Sequence, residues 1–172
     1  MSIAVARLSA AEAEARRDIL ADILADVVEG GASVGFLRPL ERAAALEFWR
    51  GVAAAVAARG RVLLVAERAG VPVGTVQLDL AAMPNQRHRA DLMKLLVLRS
   101  ARRLGVGRAL VCAAEDEARR AGRSLITFDT VADSPAETLY RSLGYRRAGV
   151  IPRYALSSDG VIEDTSVMYK EI

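Results

Sequence analysis

Apolar positions follow two rhythms along this chain. Between residues 9 and 60 they recur every three to four places: Ile19, Leu20, Ile23, Leu24, Val27 and Val28 in one run, then Leu46, Trp49, Val52 and Val56 in another. That spacing gathers them into one stripe of a helix. The first helix begins at Ser9-Ala10-Ala11-Glu12, a capping box in which serine and glutamate each satisfy a free amide of the first turn, and it stops at Gly30-Gly31. The second opens near Pro39, whose fixed φ suits a first helical turn, and ends at Gly60. Elsewhere the apolar runs are short and rich in β-branched residues. Ile3–Leu8, Arg61–Glu67, Val73–Leu80, Asp91–Leu98, Ser124–Val131, Tyr145–Leu156 and Val161–Lys170 read as strands. Arg68-Ala69-Gly70-Val71 and Ser157-Ser158-Asp159-Gly160 read as hairpin turns. The Asp91–Leu98 run is apolar enough to predict burial on both faces. Two further helices follow the loop Arg99–Gly107 and the residue pair Ser134-Pro135; Gly122 and Gly144 end them.

The resulting order, β α α β β β α β α β β, predicts an α+β fold, a mixed sheet of about seven strands covered by about four helices. No repeat or low-complexity linker interrupts it, so residues 1–172 read as a single domain. A chain of 172 residues with 52% hydrophobic and 26% charged positions has globular composition, which excludes intrinsic disorder. No apolar run reaches the roughly 18–20 residues of a membrane span, and with no apolar core of signal-peptide length behind a basic start, no secretion signal is expected. With one cysteine, Cys112, a reducing cytoplasmic location is expected, and Cys112 itself reads as a small buried hydrophobe. The net charge of +3 is too small to argue for nucleic acid, and the arginines are not interleaved with aromatic platforms. A lone His88 far from Cys112 gives no zinc site, so no metal is expected.

Candidate chemistry concentrates in Leu95-Leu96-Val97-Leu98-Arg99-Ser100-Ala101-Arg102-Arg103-Leu104-Gly105-Val106-Gly107-Arg108. A strand runs into an arginine- and glycine-rich loop and then directly into a helix. Helix N-termini expose free amides and partial positive charge, which suits phosphate. Gly105 and Gly107 let the backbone close on an anion, and Arg102, Arg103 and Arg108 supply counter-charge. The P-loop pattern is absent, and Leu110 stands where a dinucleotide fingerprint needs its third glycine.

Arg102-x-x-Gly105-x-Gly107 in this setting, with Ala136-x-x-x-Tyr140-x-x-x-Gly144-Tyr145 downstream, resembles the GNAT superfamily of acyl-CoA-dependent N-acyltransferases. His88-Arg89-Ala90-Asp91 ahead of Lys94-Leu95-Leu96-Val97-Leu98, and Phe128-Asp129-Thr130 later, look most like its tabtoxin-resistance acetyltransferase branch. The resemblance implies a mostly antiparallel sheet and acetyl-CoA as co-substrate. It implies that Leu95, Leu96 and Val97 pair with the pantetheine arm, and that amides from Arg103, Leu104, Gly105, Val106, Gly107 and Arg108 hold the diphosphate. Tyr140 is then the acid or hydrogen-bond donor to the departing thiolate, with Asp91 and Asp129 as candidate bases. Many relatives carry asparagine where Asp133 stands, contacting the pantetheine; an ionised aspartate accepts but cannot donate there. Family members often have proline at the Arg99 position. One of Arg119, Arg120 and Arg123 could meet the 3′-phosphate, although all three also fit a solvated helix end.

The chemistry needs such groups. An alkylammonium with a pKa of about 10 is mostly protonated at neutral pH and cannot attack a thioester until a carboxylate takes its proton. An amide near Val97 would stabilise charge developing on the carbonyl oxygen. Asp129 lies in an otherwise apolar strand, where an unpaired carboxylate is costly, so it reads as either a base or half of an ion pair. The expected acceptor is a small amine-bearing molecule, such as an antimetabolite or antibiotic. A protein N-terminus or lysine, or an acyl-CoA-sensing module with little turnover, are the alternatives. The partner expectations are no nucleic acid, no membrane, and a monomer or homodimer.

Overall fold

The structure is a computed structural model that describes residues 2–172. Its strands are β1 Ile3–Leu8, β2 Arg61–Arg68, β3 Val71–Leu80, β4 Arg89–Val97, β5 Leu125–Val131, β6 Arg146–Leu156 and β7 Ile162–Glu171. They form one sheet in the order β1-β2-β3-β4-β5-β7-β6, antiparallel at every pair except the parallel β4–β5. The helices are α1 Ala10–Ala15, α2 Arg17–Glu29, α3 Arg42–Ala57, α4 Val106–Arg120 and α5 Pro135–Ser142. The α+β expectation holds, with five helices in place of four.

Alternation along the strands builds two cores. Val62, Leu64 and Ala66 of β2 join Val76, Leu78, Ala90 and Leu92 beneath Leu110, Val111 and Ala114 of α4. Leu63 and Val65 face the other way, with Leu96, onto Leu20, Leu24, Val28, Trp49 and Val52 of α2 and α3. Each fully buried leucine or valine contributes about 1.5–3 kcal/mol, so β2, enclosed on both faces, anchors both layers.

Several expectations are corrected. The run expected as one helix after Ser9 is two, broken at Arg16; the capping box is present, with Ser9 Oγ accepting from the Glu12 amide at 3.2 Å. The helix expected from Pro39 starts at Arg42, because the backbone before it is committed elsewhere: the Arg38 amide donates to Ser158 O at 2.9 Å. Gly107 lies inside the first turn of α4, not in a loop. Cys112 is exposed, since it falls on the solvent side of α4 between buried Val111 and half-buried Ala113. Strand β4 carries buried residues on both faces, Leu96 toward α2 and α3 and two others toward α4, but its remaining positions are only half-buried. Ala90 and Leu92 point to α4, Asp91 and Met93 to the opposite side, and only Ala90, Leu92 and Leu96 are buried.

Two features of β4 shape the site. Thr75 pairs with Leu96 but Gln77 with Met93, so Val76 faces both Lys94 and Leu95 across a bulge. Lys94 sits at its apex with φ +52, a left-handed conformation that non-glycine residues rarely adopt. Already ahead of the bulge, β4 loses its other neighbour: the β4–β5 ladder comprises only Arg89–Leu125, Ala90–Ile126 and Asp91–Thr127. The strands then part, leaving a slot open from Leu92 to Val97.

Candidate active site

One wall of the slot carries a nest of free amides. Gly105, at φ +86, is the N-cap of α4 and no side chain caps the helix. Arg103 also takes a positive φ, +63, so the chain curls twice before the helix starts. Among the described residues, none of the amides from Arg103 to Arg108 reaches a backbone or side-chain acceptor; the first inward hydrogen bond is Ala109 N to Gly105 O at 3.0 Å. Six consecutive unclaimed amides at a helix N-terminus form an anion cradle. Arg102 and Arg103 are exposed beside it without ion-pair partners among the described residues, and Arg108 donates to Ser142 Oγ at 3.0 Å. A Cβ on Gly107 would come within 3.0 Å of Leu139 and 4.0 Å of Leu95 and Val97, so its absence keeps open the space between α4, α5 and β4. Cradle and open β4 edge together fit a diphosphate followed by an extended amide-bearing arm, which is what CoA presents.

Tyr140 and Asp129 flank the slot from opposite sides. Tyr140 packs on Phe128 with ring centroids 4.3 Å apart and on Tyr145 at 5.8 Å. Its ring is buried, its hydroxyl has no hydrogen-bond partner among the described residues, and burial pushes its pKa up. Asp129 follows Phe128 on β5 and therefore points to the other face. It is exposed and, among the described residues, accepts only from Thr165 Oγ1, at 3.3 Å. The expectation that Asp129 would be buried is thus corrected, because α1–α3 cover the β1–β4 half of the sheet and leave this face of β5 open. Asp91 points to the same side, but Arg89 Nη1 and Thr127 Oγ1 both donate to its Oδ1. Asp133, at φ +57, is exposed and ion-paired to Arg147. His88 is exposed, and its carbonyl accepts from the Ser124 amide at 2.8 Å. Arg119 and Arg120 pair with Asp116 and Glu117 on their own helix.

Three further features complete the site. Lys94 Nζ donates to Val34 O at 2.6 Å and lies 5.8 and 5.9 Å from the Phe36 and Phe48 ring centres. Burial lowers its pKa, opposed by the Asp129 carboxylate. Glu137 is fully enclosed and accepts from the Asp133 amide at 2.7 Å, Arg147 Nε at 2.7 Å and Ser166 Oγ at 2.9 Å. Burial works against its charged form, but these donors outweigh it and hold the carboxyl below its usual range. The loop between α2 and α3 forms a strap onto the β6–β7 turn: beside the Arg38–Ser158 backbone bond, Arg38 pairs with Asp159 and Ser33 Oγ donates to Leu156 O at 3.3 Å. A surface hollow lined by Arg16, Asp18, Glu67 and Pro72 holds none of these residues.

Comparison with known proteins agrees with this geometry. The family model described as Acetyltransferase (GNAT) domain matches residues 59–147, more than half of the chain. An uncharacterised N-acetyltransferase from the hisH–hisA intergenic region of Azospirillum brasilense is 34% identical over 112 residues, which span 64% of this chain and 65% of that relative, just under two thirds of its length. Among solved structures, a ribosomal-protein-alanine N-acetyltransferase from Brucella melitensis superposes with a TM-score of 0.82 at 24% identity, covering 98% of this chain and 99% of that one. The protein yncA of Salmonella typhimurium, solved with its cofactor acetyl-CoA, gives 0.79 at 20% identity, covering 99% and 94%. A domain with this sheet, this slot and this match is a member of the GNAT acetyltransferase family, and the chain belongs to it.

Proposed function

We propose that the protein is an acetyl-CoA-dependent N-acetyltransferase whose acceptor is a small primary amine. The six unclaimed amides of residues 103–108, opening onto the unpaired edge of β4, carry this reading. Acetyl-CoA supplies an acetyl group activated as a thioester. The amides of Arg103–Arg108, with Arg102, hold its diphosphate, and the edge at Leu95, Leu96 and Val97 aligns its arm as an added strand would. Asp129 takes the proton from the incoming ammonium, and Tyr140 donates a hydrogen bond where the thiolate departs. Asp129 is favoured over Asp91 as the base because the Asp91 oxygen nearest Arg89 and Thr127 is already claimed. The strap across the acceptor side favours a small molecule over a protein terminus, since a polypeptide needs an open groove. The motif likeness to the tabtoxin-resistance branch supports the same acceptor class.

Calorimetric titration with acetyl-CoA tests the reading. Saturable binding is expected for the wild type and none for Gly107→Glu, which places bulk and negative charge against the cradle. Absence of wild-type binding at millimolar acetyl-CoA overturns it.

A further inference from the structure

On the acceptor side of the sheet, Arg61 and Gln77 each bury a donor atom that has no partner among the described residues. Gln77 is completely buried on β3; its Oε1 accepts from Arg61 Nη1 at 3.4 Å, while its Nε2 has no partner among the described residues. Arg61 Nε is also buried and unpartnered, and Arg61 Nη2 lies 3.5 Å from Asp79 Oδ2. Lys94 spends one of its three protons on Val34 O, and the Phe36 and Phe48 rings shield it from solvent. Arg61 depresses its pKa further, so the two cations sense one another. Strand register puts the cluster on the face of the candidate base. Arg61 stands opposite Asp79, Asp79 opposite Asp91, Asp91 opposite Thr127, and Asp129 is two residues further along β5; Gln77 faces Met93 beside Lys94.

Buried donors without acceptors are costly, and proteins rarely keep them unless something else completes the bonds. Two cations and an amide converging from three strands present the complement of a small planar oxyanion. We propose that Arg61, Gln77 and Lys94 form a carboxylate-recognition subsite, so that the acceptor is a zwitterion of amino-acid type, its amine toward Asp129 and its carboxylate toward the cluster. The proposal rests on the acetyltransferase reading and narrows it: among small amines, those with a carboxylate near the nitrogen are the substrates. The site belongs to three residues far apart in sequence, and the bulge that turns Lys94 inward is what assembles it. The left-handed backbone at Lys94 is then strain held for binding.

The test uses matched acceptors that differ only at the carboxylate, each α-amino acid against its own primary amide, across small, apolar and polar side chains. Release of free CoA thiol reads turnover. Thermal midpoints with each acceptor in the presence of CoA read binding, so a pair that is bound but not acetylated still reports. For the wild type, the acid is expected to exceed the amide in kcat/KM by about tenfold or more, the scale of one charge-assisted hydrogen bond, and to raise the midpoint further. Gln77→Glu, which supplies the cluster with its own carboxylate, and Lys94→Met are each expected to erase that ratio. Equal response of the wild type to acid and amide in both readouts overturns the subsite. So does a ratio that survives both substitutions. A wild type that fails to bind acetyl-CoA fails earlier, at the acetyltransferase reading, and the two failures are therefore distinct.

Discussion

Tyr140 shows how the surroundings of one residue select its chemistry. Its ring is locked between Phe128 and Tyr145, and burial raises its pKa, so the phenol stays protonated throughout the working pH range. Such a group donates a hydrogen bond to a leaving thiolate better than it tolerates a charge of its own. Tyr140→Phe keeps the packing and removes the donor; kcat is expected to fall by about a hundredfold, with acetyl-CoA affinity within about twofold of wild type. Stopped assays with thiol detection, beside a binding titration, separate the two quantities. The paired carboxylates make a second contrast. Asp129→Asn is expected to depress the rate at neutral pH far more than Asp91→Asn, because only Asp129 stands free of a guanidinium. Parallel rate–pH profiles of the two variants check the ranking, and a larger loss at Asp91 would transfer the role.

At the level of elements, α5 is positioned by a buried carboxylate. Glu137 ties the turn after β5 to β6 and β7 through Asp133, Arg147 and Ser166, one helical turn ahead of Tyr140. Because its folded pKa lies below the usual 4.5, the unfolded chain takes up the proton first. The stabilisation is present above that ordinary value and drains as the pH falls through the folded one. Glu137→Gln is expected to lower stability near neutrality by about 3 kcal/mol and to flatten the acid limb of a denaturation–pH curve.

Nothing in the sequence marked Glu137, since an acidic residue early in a helix reads as an ordinary dipole partner. The strands, by contrast, were legible from alternation and turn residues alone, and the Gly105–Gly107 turn was legible because glycine spacing and the strand-loop-helix context coincide. The break at Arg16 was not, because no glycine or proline marks it between the capping box and the stripe that starts at Ile19, and the ion pair that accompanies it, to Glu67, lies across the fold. Arg61, Gln77 and Lys94 were equally hidden: only strand register and the bulge bring them together. The exposure of Asp129 depended on which part of the sheet the helices leave uncovered, and local pattern carries no record of that.

Across the whole molecule the sheet divides between β4 and β5. The β1–β4 half, with α1–α4, and the β5–β7 half, with α5, share a ladder of three residue pairs and the core around Phe128 and Tyr140. A ligand lying in the slot touches both halves and binds only the folded chain. At a hundredfold excess over its dissociation constant, acetyl-CoA is therefore expected to add about 2.7 kcal/mol, or roughly 5–10 °C in Tm for a chain of this size. A melting series with rising acetyl-CoA measures this, and Gly107→Glu should show no rise.

The short β4–β5 ladder also has a mechanical meaning. Arg89, Asp91 and Thr127 pin it with side chains as well as backbone, Arg89 donating to Thr127 Oγ1 at 2.8 Å while both hold Asp91. With pairing confined to one end, β4 and β5 diverge from that pin like the open jaws of a clothes-peg, while the ladders on either side continue. The spring of such a device sits at its pivot. Thr127, which lies outside the amide cradle, thereby helps to set how far the jaws stand apart at rest.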